Sequence, residues 1–204
     1  MAVHDEIWAG LPAEGAHDSA VHERVLSFLG DELHERVLDV GSGDGAFAAR
    51  LASAGAVVTG LDPSPIALER ARSAHPEMDW VAPEGDGRLP FADASFDVVT
   101  LVSVLQHVAD TQSLLSEVRR VLVADGLLVV AVPFHGRLKN TLVALGSFER
   151  HFDPLEPVLR FYTAGSLRAL LRDFGFERIE VSGRGGPPLL RETLVGTGRR
   201  AGLD

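Results

Sequence analysis

The chain has 204 residues, enough for one α/β domain with a substantial core and too few for two comfortable ones. It contains no cysteine, which excludes a disulfide framework, a thiolate zinc site and a cysteine nucleophile. Its net charge of −10 is uneven: residues 1–100 hold 6 basic and 18 acidic side chains, the remainder 13 and 11, and so acidic a half argues against a nucleic-acid partner, since phosphate contacts need a basic footprint.

Residues 1–19 are polar and glycine-containing and read as an arm with Trp8 as its one anchor; the domain proper is expected over 20–204. The start, Met1-Ala-Val-His-Asp-Glu6, is acidic and lacks a signal-peptide pattern. No apolar run approaches the ~18 residues of a membrane span, so a cytoplasmic protein is expected. From Ala20 to Leu29, apolar Val21, Val25, Leu26, Phe28 and Leu29 recur at helical spacing. A strand at 36–40, a helix at 46–54 and a strand at 56–61 follow. Ser64 to Ala74 reads as a helix with Ser64 as N-cap and Pro65 at its first position. Met78–Ala82 is a short third strand, Phe96–Leu101 the fourth, Thr111–Leu122 a helix and Leu127–Val132 the fifth strand. The rhythm then breaks over about 134–161 before a helix at Ala164–Phe174, closed by Gly175. Leu138, Leu142, Val143, Leu145 and Phe148 make an amphipathic helix within that insertion. An insertion at the carboxyl end of a strand lies over the ligand crevice, and a long one there reads as a lid. Phe176–Val181 and Leu189–Gly196, joined by a glycine-proline turn, can form a hairpin. The strands are mostly Val, Leu and Ile without alternation, as expected when helices cover both faces. A doubly wound, mostly parallel α/β fold is predicted.

The turn after the first strand carries the chemistry. In Val37-Leu-Asp-Val-Gly-Ser-Gly-Asp-Gly45 a buried strand breaks on alternating glycines, and Asp62 follows 21 residues after Gly41, the spacing expected of an acid that binds a ribose hydroxyl pair. Pro63, without an N–H, ends the second strand there and lets the carboxylate project into the crevice. An adenosine-containing ligand is implied. Gly41-x-Gly43-x-x-Ala46 can be laid on a dinucleotide fingerprint, but a pyrophosphate needs bare amides and a helix dipole, and Asp39 and Asp44 would repel it. S-adenosylmethionine has no phosphate; it carries an ammonium and a sulfonium beside one carboxylate. Asp39 can meet the ammonium while loop and helix amides meet the carboxylate. On this reading the cofactor contacts are Asp39, Gly41, Ser42, Gly43, Gly45, Asp62 and Pro63, with Val102 and Ser103 at the end of strand four.

Over roughly residues 20–200 the sequence resembles the class I S-adenosylmethionine-dependent methyltransferases. VLDVGSGDG looks like the family's first motif and Asp62 like its ribose-binding acid. Leu89-Pro-Phe-Ala-Asp-Ala-Ser-Phe-Asp-Val-Val99 looks like the lead into strand four, and Leu105-Gln-His-Val-Ala-Asp110 like the turn beyond it. The stretch from Pro133 to Asn140 and on to Phe161-Tyr-Thr163 resembles the ubiquinone-biosynthesis O-methyltransferase subgroup. The resemblance implies a Rossmann-like, seven-stranded sheet with an antiparallel strand at its edge. It also implies an acid after strand three that accepts the adenine amino hydrogen. Asp86, followed by Gly87, fits that place, although the loop is about one residue short of the common spacing, so that Glu84 or backbone amides can serve instead.

His107, just after strand four, and His135, just after strand five, are the candidate bases; His151 lies further along the insertion. No acid stands at motif spacing with them, so no metal site is expected. The expected function is methyl transfer to a small-molecule acceptor, with oxygen favoured by the subgroup resemblance, by a monomer or homodimer with at most peripheral membrane contact. Alternatives are a nicotinamide oxidoreductase, a non-catalytic S-adenosylmethionine-binding protein, and an enzyme methylating a prenylated quinone precursor at the membrane surface. For the last, the 138–148 helix, flanked by Arg137, Lys139 and Arg150, would be the interfacial anchor.

Overall fold

The structure is a computed structural model and describes residues 8, 19–30, 35–85, 87–134, 141, 145, 158–186 and 192–202. Among the described residues the elements follow one another as α1 (Ser19–Leu29), β1 (Arg36–Val40), α2 (Ala46–Ser53), β2 (Val57–Leu61), α3 (Pro65–Ala74), β3 (Asp79–Val81), β4 (Phe96–Val102), α4 (Thr111–Val121), β5 (Leu122–Pro133), α5 (Ala164–Asp173), β6 (Phe176–Arg184) and β7 (Thr193–Arg200). The helix starts follow local chemistry. Ser64 Oγ accepts from the Ala67 N–H ahead of Pro65, Asp110 accepts from Ser113, and Thr163 and Ser166 form a reciprocal capping box. No helix among the described residues is long and apolar enough to cross a membrane.

The strands form one sheet in the order β3-β2-β1-β4-β5-β7-β6. β1 pairs in parallel with both β2 and β4, so the chain winds outward in opposite directions from that junction, and the crevice beyond the carboxyl ends of these strands is where such sheets take ligands. Successive residues feed two separate cores. Leu38 and Val40 join Leu115 and Val118 of α4 and Leu167 and Leu171 of α5 on one face. Val37 joins Val25 of α1, Leu51 of α2 and Leu68 of α3 on the other. Asp39, on the Val37 side, therefore points under α1 and α2.

Three expectations need correction. The antiparallel strand is not outermost: β7 runs between β5 and β6, antiparallel to both. Burial explains the order, for Leu194 and Val195 are enclosed, whereas β6 carries Glu177, Arg178 and Glu180 and a register shift beside the left-handed Arg178, the charged and bulged form that protects an edge. β5 begins at Leu122 rather than Leu127, because Leu122 already pairs with Phe96 before an irregularity at Phe96/Val98. β7 begins at Thr193 and runs on to Arg200. Its glycines are not turn residues but places of close approach, where a Cβ on Gly196 would stand 3.0 Å from Leu167 and one on Gly198 3.1 Å from Phe176.

Trp80 of β3 is the wedge that holds the βαβ unit together. Its indole N–H donates to the His75 carbonyl (2.9 Å), and its ring fills the space where a Cβ on either Gly45 or Gly60 would stand. Gly45 is also left-handed (φ +85°), so it serves the turn twice. Gly45→Ala should cost about 2–4 kcal/mol in chemical denaturation from strain and overpacking together. Trp80→Leu should cost clearly less in that background than in the parent; strict additivity would remove this packing explanation.

Candidate cofactor and acceptor site

The glycine turn is tied to β2 from two directions. Gly41 N–H and Ser42 N–H both donate to the Leu61 carbonyl (2.7 and 3.0 Å). Asp62, 5% exposed, accepts from Gly43 N–H at Oδ2 (2.9 Å) and from Ser64 N–H at Oδ1 (2.8 Å). The carboxylate thus braces the turn while bordering the larger cavity. Asp44 Oδ1 accepts from Ala46 N–H (3.3 Å), so an amide at the start of α2 that a pyrophosphate would need is already engaged.

Two cavities meet over this turn. The larger, about 500 Å³, has Asp62 and Pro63 beyond β2 and Val104, His107 and Val108 beyond β4, with the end of β1 between them. The smaller, about 220 Å³, is lined by Asp39, Ser42, Asp44 and Val102, with His22 from α1. Trp8, Gly41 and Ser103 border both and form a collar between them. Ser103 holds φ +58°, a strained conformation for a serine, with its N–H donating to the Ala131 carbonyl (2.8 Å).

Asp39 is 2% exposed. The register sets it opposite Thr100, whose hydroxyl donates to Oδ1 at 2.6 Å. Burial pushes the carboxyl up to about 7; the Thr100 hydrogen bond opposes the rise and the charge of Asp62 adds to it. The recess therefore holds an acid poised between its two forms near neutrality.

The wall near Leu89 is fastened from α4. Arg120 donates to both oxygens of Glu117, to the carbonyls of Leu89 (2.9 Å) and Phe91 (2.8 Å), and to Asp93 (2.8 Å), while Glu117 accepts from the Leu89 N–H (2.9 Å). The Arg120 guanidinium keeps the Glu117 carboxyl below its ordinary value. The acceptor side is fastened by the chain returning at 158–163. Leu159 and Arg160 N–H donate to the Gln106 carbonyl (2.7 and 3.3 Å), the Arg160 guanidinium to the carbonyls of Val108 and Ala109, and Tyr162 OH to that of Leu105 (3.3 Å).

Of the expected cofactor residues, Asp39, Gly41, Ser42, Gly43, Asp62, Pro63, Gly87, Val102 and Ser103 border one or both cavities. Gly45 borders neither and faces Trp80. His107 lines the larger cavity, its Nε2 3.1 Å from Gln106 Nε2. Asp86, His135 and His151 lie outside the described residues, as does the 138–148 helix except for Thr141 and Leu145. Sequence reading missed Arg120, Glu117 and His22, and took Trp8 as an anchor without placing it in the site. The Glu117/Arg120 pair, three apart on one helix, was the available signal.

The chain matches the family described as a methyltransferase domain over residues 38–130. A demethylmenaquinone methyltransferase of Tropheryma whipplei is 42% identical over 123 residues, covering 59% of this chain and 51% of that protein. A malonyl-(acyl-carrier protein) O-methyltransferase of Geobacter sulfurreducens is 35% identical over 185 residues, covering 85% of this chain and 68% of that protein. Among solved structures, YcgJ of Bacillus subtilis aligns with a TM-score of 0.71 at 17% identity, covering 90% of this chain and 99% of that one. Phosphoethanolamine N-methyltransferase 2 of Haemonchus contortus, solved with S-adenosyl-L-methionine, aligns at 0.72 and 18% identity, covering 89% and 52%. At such identities the likeness is one of fold. The chain belongs to the class I S-adenosylmethionine-dependent methyltransferases, and S-adenosylmethionine is its cofactor. It spans about half the length of the demethylmenaquinone methyltransferases it matches.

A carboxyl whose folded value is raised favours folding most below its unfolded value near 4, and that contribution is lost as pH rises towards 7. In the ligand-free protein, Asp39→Asn should therefore gain stability over the parent progressively from pH 4 to 7, by a few kcal/mol, and hold a constant lead above that. Denaturant midpoints at graded pH test this; parallel curves for parent and variant would show that Asp39 ionises as an ordinary carboxyl.

Proposed function

We propose that the chain transfers a methyl group from S-adenosylmethionine to a small, neutral, hydroxyl-bearing acceptor seated at the His107 end of the larger cavity. The observation that carries this is the composition of that wall: Val104, Val108 and Leu114 with His107, and no Lys or Arg among the described lining residues. An anionic acceptor would meet Asp110 there, and the cation that acts on Asp110, Arg160, is engaged by the carbonyls of Val108 and Ala109. Of the two kinds of acceptor named by the relatives above, an apolar, uncharged molecule suits the wall better than a malonyl carboxylate.

The cofactor fits on the chain's own terms. Asp62 lines the larger cavity as a carboxylate suited to a ribose diol, and the buried Asp39 is an acid whose burial an incoming ammonium would offset. Bound there, S-adenosylmethionine supplies an activated methyl on its sulfonium, which passes to the acceptor oxygen as the carbon–sulfur bond breaks and its electron pair stays on sulfur. The protein's part is alignment and exclusion of water by the collar and the apolar wall. His107 would take or orient the hydroxyl proton, a service that matters only for poorly ionised acceptors.

The test is methyl transfer, read as S-adenosylhomocysteine release, across acceptors of graded acidity. A phenol with pKa near 10 is only ~0.1% ionised at pH 7, a deficit of about 4 kcal/mol that a base can reduce. His107→Ala should cost at most about tenfold in kcat/KM with an already ionised enol and ~10²-fold or more with a phenol. A thousandfold loss with the ionised acceptor, with cofactor binding intact, would overturn catalysis by placement. Turnover confined to malonyl thioesters would overturn the neutral acceptor.

A further inference from the structure

The two cavities are joined at a neck, and the neck has an aromatic wall. Only Trp8, Gly41 and Ser103 border both sides among the described residues. Trp8 comes from far upstream in sequence and is seated on the bare Cα of Gly43: a Cβ there would stand 2.5 and 2.7 Å from Cζ2 and Cη2 of the indole. Gly43 is left-handed (φ +56°) and its N–H is held by Asp62, so the surface beneath the ring is fixed.

A cofactor with adenosine beside Asp62 and an amino acid beside Asp39 has to pass its sulfur through this neck, because the sulfur is the atom that joins those two halves. We infer that the indole of Trp8 is the face against which the cofactor's sulfonium rests, so that Trp8 distinguishes the methylated, cationic cofactor from its neutral thioether product. The inference rests on the cofactor placement above. An indole is the most favourable of the aromatic faces for a cation, and the sulfonium is a weakly hydrated cation with no hydrogen to donate, for which a carboxylate offers no hydrogen bond. The other two members of the neck supply a backbone without a side chain and a hydroxyl, and neither discriminates charge in this way. Once the methyl has left, the sulfur is neutral and this attraction is gone, which favours exchange of product for fresh cofactor.

The test compares S-adenosylmethionine with S-adenosylhomocysteine by calorimetry on the parent, Trp8→Phe and Trp8→Leu. Trp8→Leu should weaken S-adenosylmethionine about tenfold while changing S-adenosylhomocysteine by no more than about twofold, with Trp8→Phe between. Emission gives a second readout. The chain has two tryptophans, and Trp80 is enclosed against Gly45 and Gly60, so quenching by S-adenosylmethionine should be seen in the parent and vanish in Trp8→Phe. Equal losses for both ligands would make Trp8 a space-filling cap and overturn the inference, as would no loss for either. A parent that binds neither ligand would overturn the cofactor placement itself, a result distinct from either of these.

Discussion

A carboxyl group enclosed at the tip of β1 is the constraint around which this site is built. Isolating a carboxylate from water is costly, and among the described residues the Thr100 hydroxyl across the parallel register relieves Asp39, with Asp62 nearby making matters worse. Such an arrangement is a poor way to stabilise a fold and a good way to receive a cation. Asp62 does the complementary work. It holds the glycine turn by its bonds to Gly43 and Ser64 and lines the larger cavity. Two acids thus stand at the carboxyl ends of adjacent strands, Asp62 bracing the turn and Asp39 enclosed beneath it, and the proposed cofactor contacts rest on this pair.

Much of this was legible beforehand, for a physical reason. Parallel strands buried on both faces leave continuous apolar runs, helix caps leave Ser, Asp or Thr before them, and a strand-to-helix turn carrying a ligand needs glycines. Val37–Gly45 and Val57–Leu61 show the apolar runs, the first also the glycines, and Ser64, Asp110 and Thr163 show the caps. What escaped detection depends on partners distant in sequence. Leu122 pairs with Phe96, the glycines of β7 accommodate Leu167 and Phe176, and Arg120 gathers the carbonyls of Leu89 and Phe91. Gly45 shows the limit from the other direction. Its spacing matched a ligand turn, yet the group that demands a glycine there is Trp80.

The rim of the site is assembled from segments that local pattern does not connect. Trp8 and His22 approach from the amino-terminal side, and Leu159 to Tyr162 are fastened on the 105–109 turn from the far side of the insertion. The family match over residues 38–130 accordingly runs from β1 into β5 and takes in neither of these rim segments. The apolar wall at Val104, Val108 and Leu114 is the observation on which the proposal of a neutral acceptor rests.

On the proposed placement Asp39, raised to about 7, would exchange its proton for the cofactor's ammonium. Calorimetry of S-adenosylmethionine binding in buffers of different ionisation enthalpy, between pH 6 and 7, measures that exchange directly. Asp39 in the empty site is raised to about 7 and should ionise when the ammonium arrives, so binding should release a proton and tighten as pH rises through this range. Asp39→Asn should bind more weakly and release none. Equal affinity in parent and variant, with no proton released by either, would contradict the claim.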